Sequence, residues 1–365
     1  MIYLDNSATS FPKPELVKRA VLRTMERCAN PSRGGHEAAL MADRTVFHCR
    51  EALSQMFDCA PEQVVLTAGC TFGLNTAIRS LVKTGDRVVI SGFEHNAVVR
   101  TLHALGAQIV VAGRKLFCPE EMLQQWEDAL RQGASAAVVT HVSNVFGYIL
   151  PLEQIAQLCH QHEVPLVVDA AQSAGTLPIS LKKLGACYIA MPGHKGLLGP
   201  QGVGVLLCNR NIDPLVFGGT GNASASRLMP EALPERGEAG TVNVPGIGGL
   251  LAGVQLLQRL GIEKVHQKEC ALKTLCVEQL KKLGLKVFEG DPQAAVVSFV
   301  GEDDCEDIAM ELAQKGIAVR AGLHCAPLAH ESAGTLETGT VRVSFGPYNK
   351  KEDVYRLAYE LGRRK

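Results

Sequence analysis

The chain has 365 residues, enough for one large or two medium domains, and 46% of them are hydrophobic against 20% charged. That balance predicts a packed core and excludes a disordered chain. Lysine plus arginine and aspartate plus glutamate both number 37, which argues against a nucleic-acid or anionic-membrane surface as the main partner and leaves a small ligand.

Twelve cysteines are scattered through the chain, and its opening, Met1-Ile2-Tyr3-Leu4-Asp5, has neither the basic nor the apolar stretch of a signal peptide. The expectation is a reducing, cytoplasmic protein whose cysteines, such as Cys28, Cys159, Cys208 and Cys276, are mostly small core residues. No apolar run reaches the length of a membrane span, and no Cys/His spacing matches a zinc site, so neither membrane nor metal is expected.

In chain order, Ile2-Tyr3-Leu4 is a short apolar run, and Pro12 and Pro14 punctuate a turn before a helix predicted over 15–27. The polar, glycine-rich loop 30–36 is either a connector or a carrier of binding groups, and a helix follows over 38–57. From residue 64 the pattern alternates. Strands are predicted at 64–67, 87–90, 108–112, 136–140, 165–168, 187–191 and 203–207, with helices over 72–81, 97–105, 120–131 and 152–162. Such alternation means α/β architecture, a mostly parallel seven-stranded sheet between helices, with ligands at the carboxyl ends of its strands. Residues 209–245 are rich in Gly, Pro and Asn; helices over 245–260 and 262–283 then lead into short strands at 294–299, 317–320 and 341–344 and helices over 306–315 and 351–363. These read as a smaller C-terminal α/β domain: 15–259 forms the large domain, and 1–14 joins 260–365 in the small one.

The polar clusters fall at predicted strand ends. Gly193-His194-Lys195 follows one strand, and Asp169 ends another. A lysine there is either an ordinary surface residue or an amine able to bond an aldehyde, since burial and neighbouring cations expose its lone pair. An acid beside it can hold the protonated ring nitrogen of pyridoxal phosphate, so the pair Lys195 and Asp169 proposes that cofactor. Gly69-Cys70-Thr71 either caps a helix or receives a phosphate at the helix's positive end. His95 is either structural or stacks on the ring and carries protons. Asn144 and Gln172 can donate to the ring's phenolic oxygen, although a turn residue explains Gln172 as well. Cys325, beside His324 and with Arg320 and Arg342 available, is either a small loop residue or a thiolate nucleophile. Arg342 is either an edge-strand charge or a carboxylate clamp. The acidic run 302–307 is explained by a helix N-terminus rather than by calcium. Gly199-Pro200-Gln201-Gly202-Val203-Gly204 precedes a strand, so it is no dinucleotide fingerprint.

Taken together, Tyr3-Leu4-Asp5-Asn6-Ser7-Ala8-Thr9, Glu94-His95-Asn96, His141-Val142-Ser143-Asn144, Val168-Asp169-Ala170-Ala171-Gln172, Gly193-His194-Lys195, Gly240-Thr241 and Arg320-Ala321-Gly322-Leu323-His324-Cys325-Ala326 resemble the PLP-dependent class V aminotransferase fold. Within it the chain is similar to the cysteine desulfurases and selenocysteine lyases, in the branch with a short, ordered cysteine loop. The resemblance spans nearly the whole chain and implies fold type I. It implies that Lys195 binds the cofactor and moves the α-proton, His95 stacks on the ring, Asp169 pairs with its nitrogen, and Gln172 and Asn144 touch its phenolic oxygen. It further implies phosphate contacts from Cys70, Thr71, His194 and, across a homodimer interface, Thr241. Substrate contacts would come from Arg342, Asn144 and Arg320, and Cys325 would take the sulfur as a persulfide. L-cysteine is the expected substrate, with an acceptor protein downstream. L-selenocysteine, another class V reaction and a non-catalytic scaffold are the alternatives. Three positions depart from the family pattern: Pro192 for a common serine, Cys70 for a frequent threonine, and Leu323 for one histidine of a usual pair.

Overall fold

The computed structural model describes residues 1–31, 34–221 and 224–363. Of the loop 30–36, Ser32 and Arg33 lie outside the described residues.

Seven strands form the main sheet, in the spatial order Val64–Thr67, Gly204–Cys208, Tyr188–Pro192, Leu166–Asp169, Ala136–Thr140, Arg87–Ser91 and Gln108–Ala112. The last five run parallel, whereas Gly204–Cys208 is antiparallel to both neighbours. The sheet is therefore mostly parallel, as expected. Its central strands are apolar on both faces because helices cover both. Alternate residues divide between two cores, in keeping with the two-residue strand period. Val89, Ala137, Val139 and Val168 pack with Trp126 and Phe57 on one face, and Val88, Ala136, Val138 and Val167 pack with Leu74 and Ile78 on the other.

The covering helices show the 3.6-residue period. Pro119–Arg131 buries Met122, Trp126, Ala129 and Leu130, begins with Glu120 and Glu121, and ends on Arg131, so its charges also suit its dipole. Val244–Leu260 is glycine-rich for a steric reason. A Cβ at Gly253 would run into the Leu197 carbonyl, so only glycine lets this helix lie against the turn that follows Lys195.

A second, antiparallel sheet has the order Arg320–Gly322, Thr340–Ser344, Val296–Val300 and Lys286–Phe288. The strand Ile2–Tyr3 pairs in parallel with Ile317–Ala318. Leu4 packs with Cys276, Phe299, Leu312, Val341 and Leu357 in a third core, which ties the N-terminus to the C-terminal hundred residues.

Several predicted bounds shift. The strand predicted over 317–320 is two strands, because the chain leaves Ile2–Tyr3 at Ala318 and starts a new pairing with Thr340–Ser344 at Arg320. The acidic run does open a helix, Cys305–Gln314, with Asp304 accepting from the Glu306 N–H. The strand Lys286–Phe288 and the helices Leu181–Leu184 and Pro327–Ala333 were not anticipated, although Pro327 stands at the first helical position that proline favours. No helix among the described residues is long and apolar enough to cross a membrane, and none of their His, Cys, Asp and Glu side chains cluster in threes as metal ligands do.

Candidate active site

Five elements deliver polar groups to one cavity of about 500 Å³ at the carboxyl ends of the parallel strands. Cys70, Thr71, His95, Asn144, Asp169, Gln172, His194 and Lys195 all line it. Asp169 is the last residue of its strand, in register with Thr140 and Ala190, so its carboxyl emerges at the sheet edge although the residue is buried. One carboxylate oxygen accepts from the Ala171 N–H at 2.8 Å and from the Cys70 thiol at 3.6 Å.

Burial holds the Lys195 amine below the ordinary lysine range, with Arg342 and Arg320 adding to the effect, while the Asp169 and Cys70 side chains oppose it. Its proton is thereby held less tightly than that of an exposed lysine. His95 caps the helix Asn96–Leu105: Nδ1 accepts from the Ala97 N–H at 3.0 Å, so the neutral ring carries its hydrogen on Nε2. Burial lowers its pKa, against the pull of Asp169. His194 is held near 4, chiefly by burial and then by Lys195 and Lys13, and its Nδ1 is buried with no partner among the described residues.

The helix Cys70–Leu81 begins at the cavity two residues earlier than predicted, and its N-cap, Gly69, has no side chain to cap the first turn. Its first N–H groups and the Thr71 hydroxyl stand at the positive end of the helix dipole. A buried amine, a carboxylate, an imidazole and a helix start whose N-cap is glycine suit an anionic aldehyde on a basic aromatic ring. The unpartnered His194 nitrogen is one polar group that such a ligand would satisfy, so the residues present fit pyridoxal phosphate.

The structure places the remaining predicted residues around this cavity in different ways. Arg342 lies on an inner strand and is buried, which removes the edge-strand reading. Its guanidinium bonds Asp5 at 2.5 Å and the Asn144 carbonyl at 2.9 Å, leaving Nε without a partner among the described residues. Arg320 is exposed and stands opposite Arg342 in the sheet register. Cys325 is exposed on the loop between Arg320–Gly322 and Pro327–Ala333. That loop is tied to the cavity wall twice: the Asn96 N–H donates to the Cys325 carbonyl at 2.8 Å, and the Asn144 amide donates to the His324 carbonyl at 2.7 Å. The Gln172 amide likewise donates to the Ser7 carbonyl at 3.0 Å. Each amide has a second N–H, and both residues line the cavity.

Thr241 is not brought to this cavity. It is exposed and lines a separate depression with Phe47 and Glu238. Glu238 forks onto Arg50 and accepts from the Leu66 N–H, which anchors the loop before Thr241 to the sheet. Sequence reasoning gave no role to Asp5, Glu94 or Lys13. Lys13 donates to the His194 carbonyl at 2.7 Å, and Glu94 is fully buried between Ser91 and Thr140. No local pattern marks these partners, because most lie far apart in the chain.

The family described as aminotransferase class V matches residues 2–357. A probable cysteine desulfurase of Pyrococcus abyssi is 33% identical over 97% of this chain and 92% of its own length. Another, of Methanothermobacter thermautotrophicus, is 31% identical over 99% of this chain and 94% of its own. The solved apo structure of a cysteine desulfurase from Thermococcus onnurineus superposes with a TM-score of 0.91 at 31% identity, covering 100% of this chain and 94% of that one. With the cavity geometry and a match across almost its full length, the chain belongs to the class V aminotransferase family.

Proposed function

We propose that this protein is a pyridoxal-phosphate-dependent cysteine desulfurase, which releases alanine from L-cysteine and carries the sulfur on Cys325. One observation carries the reading: Lys195, Asp169, His95 and the uncapped helix start at Cys70 share a cavity to whose wall the Cys325 loop is bonded. The relatives described above, named for this activity, support it.

When bound, pyridoxal phosphate supplies an electron sink for charge developing on the substrate. Lys195 would hold it through the amine and is placed to accept and return the α-proton. Asp169 would pair with the ring nitrogen and favour its protonated form, and His95 would pack against the ring. Gln172 and Asn144 would offer N–H groups to the phenolic oxygen. Cys70, Thr71 and His194 would hold the phosphate, together with Thr241 of a second copy of the chain. Arg342, flanked by Arg320 and Asn144, binds the substrate carboxylate, and its unpartnered Nε is one available donor. The Cys325 thiolate attacks the substrate sulfur. A sulfur–sulfur bond forms as the carbon–sulfur bond breaks; the electron pair stays with carbon, which is protonated to give alanine.

We infer a homodimer with shared sites, supported by the exposed Thr241 and by the exposed apolar side chains of Leu40, Phe47, Val216, Phe217 and Leu228. The persulfide then passes to an acceptor protein. Twelve free thiols suit a reducing cytoplasm. The division into 15–259 and 1–14 with 260–365 is supported by the third core, which Leu4 completes.

The test compares wild type with Cys325→Ser on L-cysteine under reductant. Equal amounts of alanine and sulfide, lost in the variant, are expected. Alanine formed equally by both would remove Cys325 from the chemistry, and activity confined to L-selenocysteine would make the protein a selenocysteine lyase.

A further inference from the structure

Behind Cys325 runs a line of buried groups that the reaction above does not use. His324 Nε2 lies 3.4 Å from the Arg320 carbonyl, and His324 Nδ1 lies 3.4 Å from His330 Nε2. His330 Nδ1 lies 2.8 Å from the Thr335 hydroxyl. The two imidazoles stack, with centroids 5.7 Å apart and planes inclined by 10°. His324, His330 and Thr335 are all buried.

The hydrogen positions follow from one end of this line. A carbonyl oxygen only accepts, so His324 Nε2 carries the hydrogen. Burial, reinforced by Arg342, holds His324 down to about 2, so the ring is neutral and its Nδ1 accepts from His330 Nε2–H. Burial likewise holds His330 down to about 4, so its Nδ1 accepts from the Thr335 hydroxyl. Every bond therefore points the same way, from Thr335 to Arg320.

This line brackets the turn that presents the thiol. Arg320 belongs to the strand before it, His330 to the helix after it, and Thr335 to the segment beyond. Between them His324 and Cys325 have φ of 52° and 56°, left-handed backbone that non-glycine residues rarely adopt. Two consecutive residues stay there only if the surroundings hold them. From the cavity side the Asn96 N–H and the Asn144 amide hold the two carbonyls. On the other side the imidazole line holds the His324 ring.

We propose that His330 and Thr335 are positioning residues for Cys325: their directional hydrogen bonds lock His324, and with it the left-handed turn that aims the thiol at the substrate sulfur. This rests on the reading of Cys325 as the sulfur acceptor. Losing the Thr335 donor leaves His330 Nδ1 buried and unpaired, which frees the turn to depart from the attacking geometry. The chemistry at Lys195 is untouched.

The test compares Thr335→Val, which keeps the shape without the hydroxyl, with Thr335→Ser, which keeps the hydroxyl. In a single turnover with L-cysteine on the cofactor-loaded enzyme, mass spectrometry of the Cys325 peptide gives the rate of persulfide formation. Thr335→Val is expected to slow it roughly tenfold, the scale of one buried unsatisfied group. KM for L-cysteine and the cofactor absorption should stay unchanged, and Thr335→Ser should restore the rate. Wild-type rates in both variants, or equal losses in both, would overturn the proposal. In the wild-type protein, imidazole nitrogen shifts in NMR should place the hydrogen of both rings on Nε2; an Nδ1–H form of either ring would also overturn it. Alanine formation that survives Cys325→Ser would overturn the underlying reading and this proposal together, whereas loss in Cys325→Ser with a wild-type Thr335→Val rate would overturn the positioning role alone.

Discussion

Glu94 offers a direct measure of how the protein tolerates an acid inside its main sheet. It is fully buried; one carboxyl oxygen accepts from the Ser91 hydroxyl at 2.5 Å and from the Thr140 N–H at 2.9 Å, and the other has no partner among the described residues. Burial, with a smaller push from Asp169, raises its pKa from 4.5 to about 8 in spite of those two bonds. Below about 4.5 the group is protonated in both the folded and the unfolded chain. Between about 4.5 and about 8 only the unfolded chain releases the proton, so stability falls as pH rises; above about 8 the loss is complete. The whole displacement converts to roughly 5 kcal/mol at most. Glu94→Gln keeps the shape and the acceptor oxygen and removes the titration. Denaturant unfolding of both proteins from pH 5 to 8.5 should show the variant gaining on wild type by several kcal/mol across that range, other groups cancelling in the difference. A difference that stays flat with pH would refute the reasoning, because it would mean that Glu94 ionises in the fold as it does in the unfolded chain.

Arg342→Lys keeps the charge and loses the fork, so kcat/KM for L-cysteine should fall by about ten- to a hundredfold, the scale of a charge-assisted hydrogen bond; steady-state kinetics with an unchanged value would remove Arg342 from substrate binding. Asp5→Asn takes the counter-charge from a buried guanidinium and should cost about 3–5 kcal/mol in denaturant unfolding. Gly253→Ala forces a methyl toward the Leu197 carbonyl; an overpacking cost of about 1–3 kcal/mol should appear as a lower unfolding midpoint and weaker cofactor retention through the Lys195 turn. Burial lowers the pKa of His141 from 6.5 to about 4, so the folded ring resists protonation and stability is lost as pH falls through that interval, by roughly 3 kcal/mol. His141→Asn should flatten the acid limb of the stability curve between pH 6.5 and 4, and an unaltered limb would show that the ring is already charged in the fold.

What the sequence disclosed and what it concealed separate by the range of the interaction involved. Lys195, Asp169 and His95 were legible because each stands at or just past a strand whose apolar run is readable within a few residues, and parallel strands bring their carboxyl ends to one edge. The pairing of Arg342 with Asp5 spans 337 residues, and no periodicity announces it. For that reason an edge-strand charge remained open until the strand was found inside its sheet. Cys325 shows a third case. Its neighbours made it a candidate nucleophile, but the left-handed turn that presents it is an energy cost with no local sequence cause, since neither residue of the turn is glycine. The compensation comes from His330 and Thr335 in the following segment, and from Asn96 and Asn144 across the cavity. Local sequence reveals where a reactive group stands, whereas the groups that hold it in a strained pose are recruited from wherever the fold brings them. Substitutions that disable this enzyme without touching its cofactor cavity should therefore concentrate at His330, Thr335 and Asn96, which lie outside that cavity's lining.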